Sequence, residues 1–110
     1  MSGYPDVDVI TLEGELDISC REQVAAALRV DGTGPAILLD FSRVTYADST
    51  VISELLRFRR DAQRAQRRIA LLIGNRQFAR LIEYAGIAEL LPVYHERETA
   101  QQALVEKDAS

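Results

Sequence analysis

Hydrophobic positions along this chain follow two alternating patterns. Residues 36–39 and 69–73 are continuous apolar runs between turn signals, and such short runs predict strands that are buried on both faces. The clearest helical stripe has apolar residues at alternating steps of four and three, at Val51, Leu55, Phe58, Ala62 and Ala65. Because strands and helices alternate, the pattern predicts an α/β domain in which at least some neighbouring strands are parallel.

The first and last strands of the pattern are expected near a sheet edge. Acidic and apolar residues alternate over residues 6–9, which is typical of a strand with one wet face, and Gly14 interrupts this strand. A short last strand over residues 91–94 contains Pro92. Proline favours the edge of a sheet or the start of a strand, because it cannot donate a hydrogen bond to a neighbour.

Capping residues predict where the helices begin and end. Ser19 is followed three residues later by a glutamate, a capping box that predicts a first helix from Ser19 to about Arg29. Asn75 is the predicted N-cap of a later helix, and Gly86 lies where a left-handed C-terminal cap belongs. A second capping box at Thr99 predicts the start of a final helix. Together with the central stripe, these signals predict about four helices.

The composition is that of one globular domain. The 110 residues are 47% hydrophobic and 27% charged, which predicts a single core over about residues 7–105, with residues 1–5 and 107–110 frayed. The net charge of −4 argues against non-specific binding of nucleic acid, which requires a basic surface. The sequence shows neither a signal peptide nor an apolar run long enough to cross a bilayer, so we expect no membrane insertion.

Residues that could carry catalysis are few, and each has a simpler interpretation. His95 is the single histidine, without a cysteine beside it to share a metal, and is interpreted as a surface residue. The single cysteine, Cys20, excludes an intrachain disulfide, fits a reducing cytoplasm and is interpreted as a small packing residue. Gly32 and Gly34 lack the lysine of a phosphate-binding loop and predict a turn. We therefore expect no enzyme activity, no metal and no cofactor.

Charge is unevenly distributed along the chain. Residues 57–80 contain eight arginines and one acidic residue, whereas residues 1–48 contain nine acidic residues and three arginines. A solvated helix face and the loop that follows it account for the arginines in the simpler interpretation. The segregation also predicts a polarised surface suited to steering a charged protein partner.

The segment Asp48-Ser49-Thr50 precedes the strongest helical stripe. The simpler interpretation is a helix N-cap, since aspartate, serine and threonine are preferred there. The functional interpretation is a phosphorylation site, because backbone N–H groups and the helix dipole favour an anion at a helix N-terminus. A phosphate would add about −1.5 to −2 charges beside Asp48 and change a binding surface without refolding the protein.

Four segments together resemble the STAS domain, which sulfate transporters share with bacterial anti-sigma factor antagonists. They are the Gly14-Glu15-Leu16-Asp17 motif, the segment from Leu39 to Thr50, and residues 75–81 and 85–94. The resemblance extends over nearly the whole chain, from about Val7 to Val105. It implies a single α/β domain with a small mixed sheet of four to five strands and about four helices packed mainly on one face.

In the antagonist branch, the resemblance implies a cytoplasmic protein that binds an anti-sigma factor with serine kinase activity and thereby releases a sigma factor for transcription. The kinase uses ATP to phosphorylate the serine that matches Ser49, which weakens binding, and a serine phosphatase resets the switch. The implied docking residues are Asp17, Asp48 and Thr50, with the first turn of the following helix near Val51 and Glu54. Neither a cofactor nor direct contact with nucleic acid is implied for this chain.

Val51 stands where the family motif has a glycine. Glycine allows a partner's backbone to approach closely, whereas a β-branched valine does not and fits the first core position of a helix. Two alternatives remain open: an unphosphorylated STAS adaptor subunit of a transporter or a larger signalling complex, which this difference favours, and a sensor of a small ligand or nucleotide. The lack of a glycine-rich phosphate loop argues against the sensor.

Overall fold

A four-stranded sheet forms the centre of the molecule. The computed structural model describes residues 7–30 and 35–106, without the side chain of Glu106, so the predicted frayed ends and the Gly32–Gly34 turn lie outside the described residues. The strands are β1 (Val7–Leu16), β2 (Ala36–Ala47), β3 (Arg68–Ile73) and β4 (Val93–Tyr94), adjacent in that order. The α/β prediction is confirmed, but the mixed sheet is wrong, since each pairing among the described strands is parallel.

The helices lie on both faces of this sheet, most of them on one. They are α1 (Arg21–Ala27), α2 (Ser49–Arg64), α3 (Arg76–Tyr84) and α4 (Arg97–Glu106), with short 3-10 turns at Ile18–Cys20 and Ile87–Glu89. Crossovers of one hand between successive neighbouring strands place their helices on the same face. Accordingly α1, α2 and α3 share one core with the sheet, and α4 packs against the opposite face. The prediction of helices mainly on one face is confirmed.

Alternation along the central strands separates the two faces. Leu39 and Phe41 of β2 point into the larger core, where Phe41 stacks on Phe78 of α3 with ring centroids 5.5 Å apart. Leu38 points to the other face and packs with Leu104 of α4. Both faces are covered, which explains why β2 begins as an unbroken apolar run.

Strand β2 continues well past its predicted end at Leu39. Its second half, as far as Ala47, pairs with β1 through Glu13 to Leu16, with register shifts on either side of Gly14, whose φ is 85°. Strand β3 ends earlier, at Ile73, so this half of β2 has a neighbour on one side only within the described residues. Because β2 is longer, the residues that follow it lie at the same end of the sheet as the residues that follow β1.

The helix boundaries were predicted with mixed success. Asn75 is the N-cap of α3 and accepts a hydrogen bond from the Phe78 N–H at 2.8 Å, and Gly86 has the predicted left-handed conformation with φ 72°. The predicted Ser19 cap is wrong, because Asp17 caps that turn. Helix α1 ends at Ala27 rather than near Arg29. Helix α4 begins two residues before Thr99, so the second capping box is also wrong.

Both predicted edge strands lie at the edges of the described sheet. Strand β1 pairs only with β2, and β4 pairs only with β3, as the alternating pattern and Pro92 indicated. Pro92 immediately precedes β4, and its carbonyl oxygen accepts a hydrogen bond from the Leu71 N–H at 2.9 Å. Because β1 and β2 are parallel and Leu16 pairs with Ala47, the carboxyl ends of the two strands lie next to each other.

Asp40 anchors α4 to the sheet. Its side chain lies on the α4 face of β2, is nearly buried, forms an ion pair with Arg97, and accepts hydrogen bonds from the Ser42 N–H at 3.0 Å and hydroxyl at 2.6 Å. Burial by itself would raise the pKa of Asp40. The two hydrogen bonds from Ser42 and the positive charge of Arg97 together outweigh burial and hold that pKa below its ordinary value.

Candidate functional site

The start of α2 is built on the end of β2. Asp48 follows β2 in an extended conformation, and its N–H donates to the carbonyl oxygen of Leu16 at the end of β1, at 3.2 Å. The Asp48 carboxylate accepts from the Thr50 N–H at 2.9 Å, so Asp48 is the N-cap. Ser49 is the first residue of the helix. The predicted cap is confirmed, with aspartate rather than serine in the capping role.

Ser49 therefore has a hydroxyl that the helix does not use. Its side chain is exposed, and within the described residues no hydrogen bond joins its hydroxyl to another group. Ser49, Thr50 and Ser53 line a shallow polar depression of about 150 Å³ together with Arg21 from α1. The predicted phosphorylation site is thus a surface position that a partner protein can reach.

Asp17 repeats the arrangement of Asp48 at the end of β1. Its carboxylate accepts from the Ser19 N–H at 2.9 Å and from the Ser19 hydroxyl at 2.5 Å. These bonds, the hydroxyl first, lower the pKa of Asp17 below its ordinary value. Because Leu16 and Ala47 are partners in the β1–β2 ladder, the segments beginning at Asp17 and Asp48 leave the same edge of the sheet side by side.

Two residues predicted for the docking surface have buried side chains. The Val51 side chain is fully buried in the main core, because it occupies the inward-facing position of the first turn of α2. Glu54 is nearly buried and is bound by Arg57 at 2.9 Å. The accessible residues of the predicted set are Asp17, Asp48, Ser49 and Thr50, which we call the docking surface for the partner binding that is proposed below.

Arg57 is a structural residue that the sequence analysis assigned to a solvated face. Its Nε donates to Glu54, its Nη1 donates to Asp61 at 3.2 Å, and its Nη2 donates to the backbone carbonyl oxygens of Ala25 at 3.4 Å and Leu28 at 2.9 Å. One guanidinium thus joins the C-terminal end of α1 to α2. The i, i+3 and i, i+4 spacing of its acidic partners was the available signal, but the contact with α1 is visible only in the fold.

Helix α3 supports the same edge of the sheet from the other side. The Gln77 amide donates to the Ala47 carbonyl oxygen at 2.9 Å and accepts from the Ala47 N–H at 3.3 Å. The Asn75 amide, besides capping α3, donates to the Thr45 carbonyl oxygen at 2.9 Å. The last residues of β2 are therefore fixed by side chains of α3, and sequence reasoning missed this role of Gln77.

We expect Asp48→Ala to lower the free energy of unfolding by about 1 kcal/mol, because the Thr50 N–H loses its capping acceptor. Chemical denaturation measures this value. Ser49→Ala is the matched control at the neighbouring position, and it should change the free energy by less than about 0.5 kcal/mol because its hydroxyl caps nothing. A larger loss for Ser49→Ala than for Asp48→Ala would show that the serine holds the helix.

His95 and Cys20, which were set aside as non-catalytic, lie where their simpler interpretations placed them. His95 is on the surface, with Nδ1 3.1 Å from the carbonyl oxygen of Ile73. Cys20 is half-buried, packs against the main core and donates its S–H to the Glu15 carbonyl oxygen at 3.4 Å. Across residues 7–30 and 35–106 there is no cluster of three or more side chains suited to hold a metal. No helix in this part of the chain has the length and apolarity needed to span a bilayer.

A comparison with models of known protein families finds a match over most of the chain. The model described as "Mlab, STAS domain" matches residues 2–92. The chain belongs to the STAS domain family. No curated protein is significantly similar to its sequence.

Solved STAS structures share the fold. An anti-sigma factor antagonist from Mycobacterium paratuberculosis is 18% identical with a TM-score of 0.77, covering 94% of this chain and 90% of its own. A sulfate transporter family protein from Wolinella succinogenes is 16% identical with a TM-score of 0.79, covering 100% and 93%. The Bacillus anti-sigma factor antagonist SpoIIAA, unphosphorylated, is 25% identical with a TM-score of 0.69, covering 88% and 87%. The STAS fold is therefore common to this chain, to antagonists and to transporter proteins.

Proposed function

We propose that this STAS protein is a cytoplasmic anti-sigma factor antagonist that is switched by phosphorylation at Ser49. Its partner is an anti-sigma factor with serine kinase activity, which binds the docking surface in the unphosphorylated state and releases a sigma factor for transcription. A serine phosphatase removes the phosphate and restores binding. The chain itself is a binding protein, and ATP is consumed by the partner.

One observation carries the proposal: the residue that caps α2 and the residue predicted to be phosphorylated are different. Asp48 caps the helix, and the Ser49 hydroxyl is exposed and uses no hydrogen bond within the described residues. A phosphate on Ser49 would therefore leave the cap in place. The 25% identity with SpoIIAA, an anti-sigma factor antagonist, supports the same function.

The surroundings of Ser49 suit a surface whose affinity depends on charge. Asp17 and Asp48 already carry negative charge beside the hydroxyl, and a phosphate would add about −1.5 to −2 more. Ile18 next to Asp17 is an apolar side chain with 71% exposure. Under the proposal the partner buries this side chain, and charge added nearby weakens that contact.

Incubation with ATP and a candidate kinase-type anti-sigma factor, followed by intact mass measurement, tests the phosphorylation. We expect a single added phosphate that is absent from Ser49→Ala. Ser53→Ala is the matched control, because Ser53 is also exposed on α2 and lines the same depression, and it should be modified normally. Binding of the kinase with no phosphate transfer, or a phosphate retained by Ser49→Ala, overturns the switch.

We expect Ser49→Asp to weaken binding to the anti-sigma factor by at least about tenfold, equivalent to ~1.4 kcal/mol, while its unfolding temperature changes little because the side chain is exposed. Calorimetric titration and a thermal unfolding scan measure the two effects. Gln102→Glu, an equal change of charge at an exposed position on α4, should keep the original affinity. A large fall in the unfolding temperature of Ser49→Asp would assign Ser49 a structural role instead.

A second candidate is a STAS adaptor subunit of a transporter or a larger signalling complex. The observation that favours it is Val51, which fills a buried core position where the switch motif has a glycine. Purification of the full chain from its own cells separates the candidates. A co-purifying membrane transporter complex, with Ser49 unmodified by mass, supports the adaptor and contradicts the antagonist.

A further inference from the structure

Arg21 lies beside the candidate phosphorylation site but on a different element. It is the first residue of α1, its side chain is 65% exposed, and it shares the depression of about 150 Å³ with Ser49, Thr50 and Ser53. Among these four described lining residues, Arg21 is the charged one. The depression therefore combines three hydroxyl groups with one guanidinium.

The ion pair that Arg21 makes in this structure is weak. Its Nε is 3.9 Å from a carboxylate oxygen of Glu54, which is beyond hydrogen-bond distance. The other oxygen of Glu54 accepts from Arg57 at 2.9 Å, and Arg57 is also held by the Leu28 carbonyl oxygen. Arg21 can therefore leave Glu54 without depriving this nearly buried carboxylate of its cation.

We propose that Arg21 binds the phosphate group on Ser49 and acts as its internal counter-ion, an inference that rests on the proposed phosphorylation. Guanidinium and phosphate form bidentate, charge-assisted hydrogen bonds, which are stronger than a 3.9 Å contact with a carboxylate. The acidic groups around the site are Asp48 before α2, Glu54 on α2 and Asp17 before α1. Each opposes the second ionisation of the phosphate, and Arg21 offsets that repulsion.

The exchange of partners by Arg21 has a consequence for the docking surface. In the unphosphorylated protein, the exposed guanidinium is available to an acidic side chain of the anti-sigma factor. In the phosphorylated protein the same guanidinium is held by the phosphate. Phosphorylation thus replaces an exposed guanidinium, which can bind an acidic side chain of the partner, with an Arg21–phosphate pair whose net charge is negative.

The test uses the full chain with phosphoserine placed at position 49 during translation, so that no kinase is needed. A ³¹P NMR titration through the second phosphate ionisation, near about pH 6, compares it with Arg21→Gln in the same background. We expect the phosphate pKa to be higher in Arg21→Gln by about half a pH unit, the shift expected for an exposed ion pair. Arg21→Lys, which keeps the charge but loses the planar fork, should shift it less.

The control is Arg60→Gln, because Arg60 is exposed on α2 and lies about 16 Å along the helix axis from Ser49. It should leave the phosphate pKa unchanged. An equal shift in both glutamine variants, or none in Arg21→Gln, overturns the role of Arg21. Such a failure is distinguishable from failure of the proposed function, which depends on whether the kinase modifies Ser49 in the separate assay.

Discussion

Val51→Gly should lower the free energy of unfolding by about 3 kcal/mol, although it restores the glycine of the family motif. Val51 is fully buried at the inward position of the first turn of α2, within the main core. Burial of a valine side chain contributes about 1.5–3 kcal/mol, and a glycine inside a helix costs further backbone entropy. Chemical denaturation followed by circular dichroism measures the difference.

Val51→Ala separates the two causes of this loss. It removes the two buried γ-methyl groups but keeps Cβ and a good helix former, so we expect it to cost about 2 kcal/mol. A cost below about 1 kcal/mol for Val51→Gly would contradict the buried placement. If Val51→Gly remains folded and is phosphorylated faster than the natural chain, the valine side chain slows docking of the kinase. The position of Ser49 is then suitable for phosphorylation in both proteins.

Asp40→Ala is expected to lower the free energy of unfolding by about 2 kcal/mol at neutral pH. The substitution removes a nearly buried carboxylate that pairs with Arg97 of α4 and accepts two hydrogen bonds from Ser42. Hydrogen bonds to charged groups contribute about 1.5–3 kcal/mol, and the half-exposed Arg97 can be rehydrated after the loss. Asp61→Ala, which breaks a more exposed pair with Arg57, should cost less than about 0.5 kcal/mol.

The loss of unfolding free energy in Asp40→Ala should be smaller in acid than at neutral pH. The pKa of Asp40 is lower in the folded protein than in the unfolded chain. The carboxylate therefore contributes its stability fully above the unfolded pKa, about 3.9, and that contribution is lost as the pH falls through the folded pKa. Unfolding measured at neutral pH and below about pH 3 should show a smaller difference between the two proteins in acid. An equal difference at both pH values would contradict the charged role of Asp40.

The elements that the sequence predicted best have short-range causes. The apolar runs of β2 and β3 mark strands covered on both faces, and the stripe from Val51 to Ala62 marks the buried side of α2. Asn75 and Gly86 act on their own turns of backbone, so their roles follow from local chemistry. The alternation of strands and helices predicted that at least some neighbouring strands are parallel, and the helical crossovers make each described pairing parallel.

The second half of β2 could not be predicted because its cause is a neighbouring strand. Residues Ser42 to Tyr46 are mostly exposed and polar, with Val44 as the buried exception, and they form a strand because β1 pairs with them. The shift from Ser19 to Asp17 as the cap has the same kind of reason. Both residue types are good caps, and the conformation in which β1 ends decided between them.

At the candidate site, the sequence predicted which residues lie together, but it did not predict that Val51 and Glu54 are buried. Ser49 and Asp48 lie together as their adjacency required, and the ladder of β1 and β2 brings Asp17 to the same edge. Glu54 was placed with the docking residues because the family resemblance implied the first turn of this helix. The guanidinium of Arg57 compensates the burial of the Glu54 carboxylate. Arg57 is held in place in turn by the Leu28 carbonyl oxygen at the end of α1.

Hydrogen bonds to three different elements fix the backbone immediately before Ser49. The Asp48 N–H is bonded to β1, the Ala47 backbone is held by the Gln77 amide of α3, and the cap joins Asp48 to α2 itself. A backbone fixed in this way does not need to refold when Ser49 is modified, and only side chains such as Arg21 would move. Under the proposed function, the time course of the signal is then governed by phosphoryl transfer and by dissociation of the complex, with no additional delay from refolding of the antagonist.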